Sequence, residues 1–254
     1  MKVVTLLTDF GDFYPGVMKG VILGICPNAR IVDITHSVER QNVYQGAFLL
    51  YHSYRYFLNA VHVAVVDPGV GTDRKALILE CRDHVFIGPD NGILIPSAKE
   101  NGIERVWVID EVKASKVTGT LSSTFHGRDV FAPSAGYACL GRIEEIAEPY
   151  DGKLVEIELY DYEVKENDVR CRVIFVDRFG NAITNLKGEE VRGAKGFYVH
   201  DVYVPLVRNY SDVKEGEPLA LIGSFDTLEF SVRNGSFAER FGVRSGTLKF
   251  EIVR

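Results

Sequence analysis

The chain has 254 residues and is 46% hydrophobic, which is enough for one large domain or two ordinary ones with a substantial core. Its net charge is −6, and no run of Lys or Arg supplies the positive surface that a phosphate backbone requires, so we expect no nucleic-acid partner. The apolar start at residues 1–7 is too short for a signal peptide, and no segment is long enough to span a bilayer. We therefore expect a cytoplasmic protein without a membrane partner.

Cysteine spacing gives no sign of a metal or redox motif. No two of the cysteines stand at the short spacing of a zinc knuckle or a redox pair, and each lies among apolar neighbours. We expect no structural zinc and free thiols at all four positions, which are Cys26, Cys81, Cys139 and Cys171.

Short β-rich runs alternate with helical patterns in the first half of the chain. Residues 3–7 and 31–34 are predicted strands, and residues 17–25 between them are a predicted helix. A second helical pattern follows Asn42, and the almost unbroken apolar run at 61–66 is typical of a central parallel strand. This alternation predicts an α/β domain with a mostly parallel central sheet.

The pattern changes past Tyr150, where no comparable helix is predicted. Short apolar or alternating runs separated by Gly, Asn and Asp predict strands at 154–160, 169–176, 197–204, 219–222, 228–232 and 248–253. We predict a smaller all-β domain here, a barrel or a sandwich. The chain then divides into an α/β domain at 1–150 and a β domain at 155–254.

An aspartate ends the first predicted strand. Ligands bind beyond the carboxyl ends of strands in an open α/β sheet, so Asp9 is placed to accept the hydroxyls of a ribose, although an Asp close to a Gly also starts turns and caps helices. Residues 11–16 lack the middle glycine of a dinucleotide fingerprint, and residues 69–71 lead into a predicted strand rather than a helix. No phosphate-bearing cofactor is indicated.

Asp67 and Arg74 flank a turn that follows the buried strand at 61–66. Pro68 and Gly69 form the turn, and the guanidinium can fold back towards the carboxylate and hold it ionised. An ordinary turn with a surface ion pair, worth about 0–1 kcal/mol, explains the same residues.

His126 stands between a polar loop and a predicted helix at 130–139. At this junction its ring can face a crevice, although a lone His there is more often a cap or a packing residue. The other histidines show no metal-ligand spacing, so we expect no metal site.

Residues 177–185 interrupt the β-rich region with side chains that hydrogen-bond well. Asn181 and Asn185 could read a base edge or an amino-acid group, and Phe179 could stack on a ring, whereas a Gly-Asn hairpin turn accounts for the same pattern. The polar-aromatic loops at 224–226 and 234–238 have the same two interpretations.

Taken in order, five of these segments resemble the S-adenosyl-L-methionine (SAM) hydroxide adenosyltransferases, which are adenosine-forming SAM hydrolases related to the fluorinases and chlorinases. The segments are residues 8–11, 67–74, 125–129, 179–185 and 234–235. The resemblance covers essentially the whole chain.

The resemblance implies an N-terminal α/β domain, a C-terminal β-barrel and a homotrimer whose active sites lie between neighbouring subunits. It implies Asp67, Arg74 and His126 as the catalytic set, with SAM as the substrate and no cofactor. The substrate-binding residues that it implies are Asp9 at the ribose and, for the adenine and methionine ends, Phe179, Asn181, Ser224, Phe225, Glu229 and Asn234.

The chemistry of a sulfonium substrate agrees with this set. Methionine leaves as a neutral thioether without protonation, so the enzyme has only to align a water with the C5′–S bond and stabilise the oxygen as it loses its proton. We expect hydrolysis of SAM to adenosine and L-methionine, with Asp67 accepting the proton or orienting the water. The sequence leaves open which of the three residues takes the proton.

Three other functions remain open at this point. The first is a halide-dependent synthase of 5′-halo-5′-deoxyadenosine on the same scaffold, and the second is a protein that binds SAM or adenosine without turnover. The third is a metal-dependent hydrolase that uses Asp9, Asp67, Asp90 and His126.

Overall fold

Two units make up residues 2–254, the part of the chain that the computed structural model describes. The first unit ends at Ile157, and the second runs from Glu158 to Arg254. Within residues 2–254, no helix has the length and apolar character needed to cross a membrane.

Helices and strands alternate along the first unit. Its strands are β1 (Val3–Thr8), β2 (Arg30–Thr35), β3 (Val61–Val65), β4 (Ala76–Cys81), β5 (Val85–Pro89), β6 (Ile103–Ile109) and β7 (Ala147–Pro149). Its α-helices are α1 (Phe13–Ile25), α2 (Val43–Ser53), α3 (Ile95–Asn101), α4 (Glu111–Ser115) and α5 (Ala132–Leu140). Short 3₁₀ turns lie at Tyr54–Tyr56 and Ile143–Glu145, and a π-helical turn at Gly127–Phe131 leads directly into α5.

The seven strands of this unit form one sheet in the order β2-β1-β3-β5-β4-β6-β7. The first four are parallel to one another, β4 is antiparallel to both of its neighbours, and β7 is antiparallel to β6. All but β4 and β7 therefore run in the same direction, which confirms the predicted α/β domain with a largely parallel sheet.

The register of β1 and β3 brings two predicted site residues to the same edge of the sheet. Thr8 pairs with Val65, so Asp9 and Asp67 both follow the carboxyl ends of adjacent parallel strands. Every residue of β3 is buried, as the unbroken apolar run predicts. The sheet thus fixes the backbone from which both carboxylates extend.

Two cysteines of this unit form a disulfide, so the expectation of four free thiols is wrong. Cys26 immediately follows α1, Cys139 lies in the last turn of α5, and their Cα atoms are 6.5 Å apart. The helices pack closely because Gly136 has no Cβ to collide with Ile25. The pairing was not evident in the sequence because 113 residues separate the two cysteines, whereas Cys81 and Cys171 are buried free thiols.

We expect the disulfide to stabilise the first unit by restricting its unfolded chain. A Cys26→Ser, Cys139→Ser variant should lose about 2–4 kcal/mol of unfolding free energy under non-reducing conditions. The wild type with dithiothreitol is the control, since it should unfold at the midpoint of the variant. Thiol titration of the denatured, unreduced wild type should find only two reactive cysteines, and four would contradict the bond.

The second unit is built almost entirely of strands. They are β8 (Glu163–Lys165), β9 (Asp168–Val176), β10 (Ala182–Lys187), β11 (Gly196–Val199), β12 (Val202–Pro205), β13 (Pro218–Ile222), β14 (Thr227–Val232) and β15 (Gly246–Val253). The helix α6 (Phe237–Phe241) precedes β15, and 3₁₀ turns lie at Gly188–Val191 and Tyr210–Asp212.

These strands form a nearly closed antiparallel barrel. Seven of them follow the order β12-β11-β15-β9-β10-β14-β13, and β8 pairs with β9. Leu206, just after β12, bridges to Ala220 in β13 and so joins the two ends of the sheet. Aromatic side chains fill the interior, among them Phe197, Phe230 and Phe250, whose rings meet edge to face. The predicted barrel-like all-β domain is confirmed.

Some strand predictions in this part of the chain are wrong. Residues 154–160 contain no strand. Residues 197–204 are a hairpin rather than one strand, because His200 and Asp201 adopt left-handed backbone conformations that reverse the chain between β11 and β12. Residues 182–185 belong to β10, where Thr184 and Asn185 are fully buried despite their polarity.

Candidate active site

A guanidinium lies at the centre of the candidate site. Arg74 Nε is 3.2 Å and 3.0 Å from the two oxygens of Asp67, and Nη2 is 2.6 Å from Oδ2 of the same carboxylate. The other contacts of Arg74 are Nη1 to Oε1 of Glu111 at 3.0 Å and Nη2 to Nδ1 of His126 at 2.8 Å. The structure thus brings together the three residues that were predicted to act together.

The turn after β3 aims Asp67 and Arg74 at each other. The backbone N–H of Val70 bonds to the carbonyl of Asp67 at 3.3 Å, and the Thr72 hydroxyl bonds to the carbonyl of Gly69 at 2.7 Å. Gly71 has φ +77°, a left-handed conformation, and a Cβ there would collide with the carbonyl of Ser123. The turn is therefore compact, and it packs against the polar loop that precedes His126.

His126 lies at the start of the π-helical turn that leads into α5. Its neighbour Gly127 packs so closely on Phe10 and Phe125 that a Cβ would approach those rings to 2.8 Å and 2.9 Å. Two residues on, the fully buried Asp129 accepts hydrogen bonds from Thr118 and from the Ser122 backbone, and it pairs with Arg128. These contacts fix the loop at 118–124 and the backbone position of His126.

Glu111 is a member of this cluster that the sequence analysis missed. It is the first residue of α4, and its Oε1 lies 3.0 Å from Arg74 Nη1 and 3.5 Å from His126 Nδ1. Hydrogen bonding to His126 when its ring is protonated, together with the hydrogen bond and charge of Arg74, holds the pKa of Glu111 below its usual range, partly opposed by burial. Glu111 is therefore a second carboxylate that is ionised at neutral pH.

The contacts leave one polar atom of His126 and one of Asp67 open for a ligand. Arg74 Nη2 can only donate, so Nδ1 of His126 is the acceptor and the neutral ring carries its proton on Nε2. Within residues 2–254, no group hydrogen-bonds to that Nε2, and Oδ1 of Asp67 accepts only the 3.2 Å contact from Arg74. His126 thus offers an N–H donor and Asp67 a carboxylate acceptor.

Burial strengthens these interactions. The side chains of Asp67 and Arg74 are 4% and 9% exposed, and the guanidinium carbon lies 5.4 Å from the centre of the Phe131 ring. Water screens such charges little, so their mutual attraction is stronger than in a surface ion pair, and loss of either partner would leave a buried charge unpaired. The alternative of an ordinary surface turn is wrong.

Asp9 lies at the same edge of the sheet but outside the hydrogen-bonded cluster. Its Oδ2 accepts a hydrogen bond from the backbone N–H of Gln41 at 2.9 Å, which fixes the carboxylate. Gln41 has φ +61°, so the chain bends sharply to make this contact. Oδ1 of Asp9 has no hydrogen-bond partner in the described part of the chain, and it remains available to a ligand.

In the second unit, three predicted substrate-binding residues line one cavity of about 900 Å³. Phe179 is 77% exposed, whereas Asn181 is buried and its amide donates to Asp177 Oδ2 at 3.0 Å. Asn234 reaches the cavity from the turn after β14, with φ +54°. Asp177 also accepts the backbone N–H groups of Phe179 and Asn181, so it shapes the whole loop between β9 and β10.

The other predicted residues of this unit lie in different surroundings. Ser224 is exposed, Phe225 packs edge to face on Phe175, and neither is among the residues that line the cavity. Glu229 is buried and accepts hydrogen bonds from the hydroxyls of Tyr210 and Ser231 at 2.6 Å and 3.0 Å. Of these residues, only Tyr210 lines the cavity.

Asn185 has a structural role within the barrel. Its side chain accepts the backbone N–H of Arg172 and donates to the carbonyl of Leu159. These bonds tie the segment before β8 to β9 and β10, so the amide holds the fold rather than facing the cavity.

The metal-dependent alternative requires Asp9, Asp67, Asp90 and His126 to converge. Asp67 is paired with Arg74 instead, and Asp90 accepts the backbone N–H of Val155 at 2.9 Å. Across residues 2–254 no group of three or more His, Cys, Asp or Glu side chains is arranged to hold a metal ion.

Both units have counterparts in one protein family. Residues 4–147 match the SAM hydroxide adenosyltransferase N-terminal domain, and residues 171–248 match the SAM hydroxide adenosyltransferase C-terminal domain. The chain belongs to the SAM hydroxide adenosyltransferase family.

Relatives that match over most of the chain carry more specific names. The chain is 39% identical to the (R)-S-adenosyl-L-methionine hydrolase of Methanocaldococcus jannaschii, over 85% of this chain and 77% of that protein. Identity to the (R)-S-adenosyl-L-methionine hydrolase of Thermus thermophilus is 35%, over 97% and 98% of the two chains. A protein named fluorinase from Actinopolyspora mzabensis is 23% identical, over 96% of this chain and 95% of that protein.

A solved structure has the same fold. The crystal structure of an uncharacterized conserved protein from Thermotoga maritima matches with a TM-score of 0.86 and 32% identity, covering 99% of this chain and 100% of that one.

Proposed function

We propose that this protein hydrolyses SAM at the ribose C5′ carbon to adenosine and L-methionine. The observation that carries the proposal is the nearly buried Asp67–Arg74–His126 cluster, which keeps one carboxylate oxygen and one imidazole N–H open. Two relatives that are 35% and 39% identical are named hydrolases of the (R) epimer of SAM, which supports this substrate.

The reaction needs an acceptor for one proton. Water attacks C5′ as the C5′–S bond breaks, so the cationic substrate and water give adenosine, neutral methionine thioether and a proton. The thioether leaves without protonation, and no cofactor is required to activate it. The site must therefore orient the water and stabilise its oxygen as the proton departs.

We assign the proton acceptor to Asp67. Arg74 already occupies Oδ2 of Asp67 with two short contacts, whereas Oδ1 has only the longer contact and can accept from water. His126, with its proton on Nε2, donates to the water oxygen and stabilises it as it becomes hydroxide-like. Arg74 cannot lose a proton in this role, so it orients the other two groups.

Substrate binding is assigned to residues of both units. Asp9 would accept the ribose hydroxyls, and Phe179, Asn181 and Asn234 would hold the adenine or methionine end in their shared cavity. Glu229 would act through Tyr210, which hydrogen-bonds to it and lines the cavity. Ser224 and Phe225 do not line that cavity, so only the family resemblance assigns them to the site.

The substitution Asp67→Asn keeps the shape of the side chain and removes the proton acceptor. We expect kcat to fall by at least about a hundredfold with KM changed little. Release of adenosine and methionine should be measured for both sulfonium epimers of SAM, with preference for the (R) epimer. Asp73→Asn is the matched control, since Asp73 is exposed in the same loop. If the kcat of Asp67→Asn stays within a few-fold of the parent value, Asp67 is not the proton acceptor.

The cytoplasmic location expected from the sequence stays a prediction. We further propose a homotrimer with active sites between the first unit of one subunit and the second unit of its neighbour. The assembly is supported by the family resemblance and by the division of the proposed site residues between the two units.

Mixing Asp67→Asn subunits with Asn181→Ala subunits should restore part of the activity, because some mixed sites contain neither substitution. Subunit exchange should be verified with differently tagged chains. If exchanged mixtures stay no more active than the separate variants, the whole site lies within one chain.

A further inference from the structure

Glu111 completes the ion-pair cluster from a separate element of the chain. It begins α4, whereas Arg74 comes from the turn after β3 and His126 from the start of the π-helical turn. Its Oε1 is the atom that lies near both of them, 3.0 Å from Arg74 Nη1 and 3.5 Å from His126 Nδ1. The Glu111 side chain is 29% exposed, so it closes the solvent side of a cluster whose other members are nearly buried.

Charge counting shows what Glu111 adds. Asp67 and Glu111 bring two negative charges, and Arg74 brings one positive charge. A neutral His126 leaves the cluster with one excess negative charge, and a protonated His126 makes it neutral. Without Glu111, Arg74 would already balance Asp67, and a protonated imidazole would leave the cluster with one excess positive charge.

The hydrogen bonds of His126 Nδ1 also depend on the protonation state of the ring. When the ring is neutral, Nδ1 accepts from Arg74 Nη2 at 2.8 Å. When the ring is protonated, Nδ1 becomes a donor, and Glu111 Oε1 is the acceptor beside it. His126 Nδ1 therefore has a partner in each protonation state, Arg74 when the ring is neutral and Glu111 when it is protonated.

We propose that Glu111 is a positioning residue of the hydrolytic site that sets the charge state of His126 while holding Arg74 against Asp67. The proposal rests on the hydrolase function proposed above. It extends that function by adding a carboxylate that balances the positive charge of Arg74 and, when His126 is protonated at Nδ1, accepts its hydrogen bond.

Other charged groups near Glu111 are already paired. On its own helix, Lys113 pairs with Asp110 and with Glu148 of β7. On the π-helical turn that packs against α4, Arg128 pairs with Asp129. Arg74, His126 and, behind Arg74, Asp67 are therefore the groups through which a change at Glu111 should act.

The test replaces Glu111 by Gln, which keeps the size of the side chain and removes its charge. We expect kcat to fall about tenfold or more while KM stays within about twofold, because a residue that acts through Arg74 and His126 should affect the chemical step more than binding. Glu111→Asp keeps the charge and should recover most of the loss. Glu148→Gln is the matched control, an exposed carboxylate that pairs with Lys113 and lies outside the cluster, and it should leave kcat unchanged.

A second readout separates charge coupling from a merely structural role. In ¹⁵N-histidine-labelled protein, the titration midpoint of His126, assigned with a His126→Gln spectrum, should move to lower pH by at least about half a unit in Glu111→Gln. Thermal unfolding of each variant checks that the fold is intact.

The outcomes distinguish the two proposals. An unchanged midpoint in a folded Glu111→Gln protein overturns the role of Glu111, whether or not kcat falls, and so does an unchanged kcat. Absence of adenosine and methionine from the wild type would instead overturn the hydrolase function, and the titration would still test the coupling of Glu111 to His126.

Discussion

The Arg74 guanidinium joins three segments that are far apart in the sequence. It binds Asp67 in its own loop, Glu111 at the start of α4 and His126 before α5, and it uses four of its five N–H groups to do so. A cation that is 9% exposed is costly unless it is paired in this way, so the guanidinium requires these partners as much as they require it. The fold supplies them by ending β3 before Asp67, by packing the loop at 118–124 on Gly71 and by fixing the start of the π-helical turn with Asp129.

The pattern of the sequence predicted where Asp67 and Arg74 stand in the fold, whereas the family resemblance alone implied that they act together with His126. The apolar run of β3 placed Asp67 at a strand terminus, and the Pro-Gly turn returned Arg74 towards it. Glu111 gave no such signal, since an acidic residue in the first turn of a helix is common for reasons of the helix dipole alone. Its role depends on where α4 starts in three dimensions.

The prediction of strands from the sequence was weaker where polar residues are buried. Thr184 and Asn185 are polar residues inside β10, satisfied by the carbonyls of Leu228 and Leu159, so a hydrophobic pattern could not find that strand. The disulfide between Cys26 and Cys139 depends on the packing of α1 on α5, which no spacing rule encodes.

The charge of the cluster favours water over a halide as the nucleophile. At about 4 Å and an effective dielectric near 20, two like charges repel by roughly 4 kcal/mol. Arg74 offsets one of the two carboxylates, and a neutral His126 offsets neither, so an anion close to Asp67 meets an excess negative charge. Neutral water avoids this repulsion and finds both a donor and an acceptor.

The origin of the oxygen in the product tests most directly whether water is the nucleophile. The wild type should be supplied with (R)-SAM in H₂¹⁸O containing excess chloride, and the nucleoside analysed by mass spectrometry. Hydrolysis at C5′ predicts adenosine with ¹⁸O at its 5′ hydroxyl and an equal amount of methionine. Predominant 5′-chloro-5′-deoxyadenosine, or adenosine without the label, would contradict it.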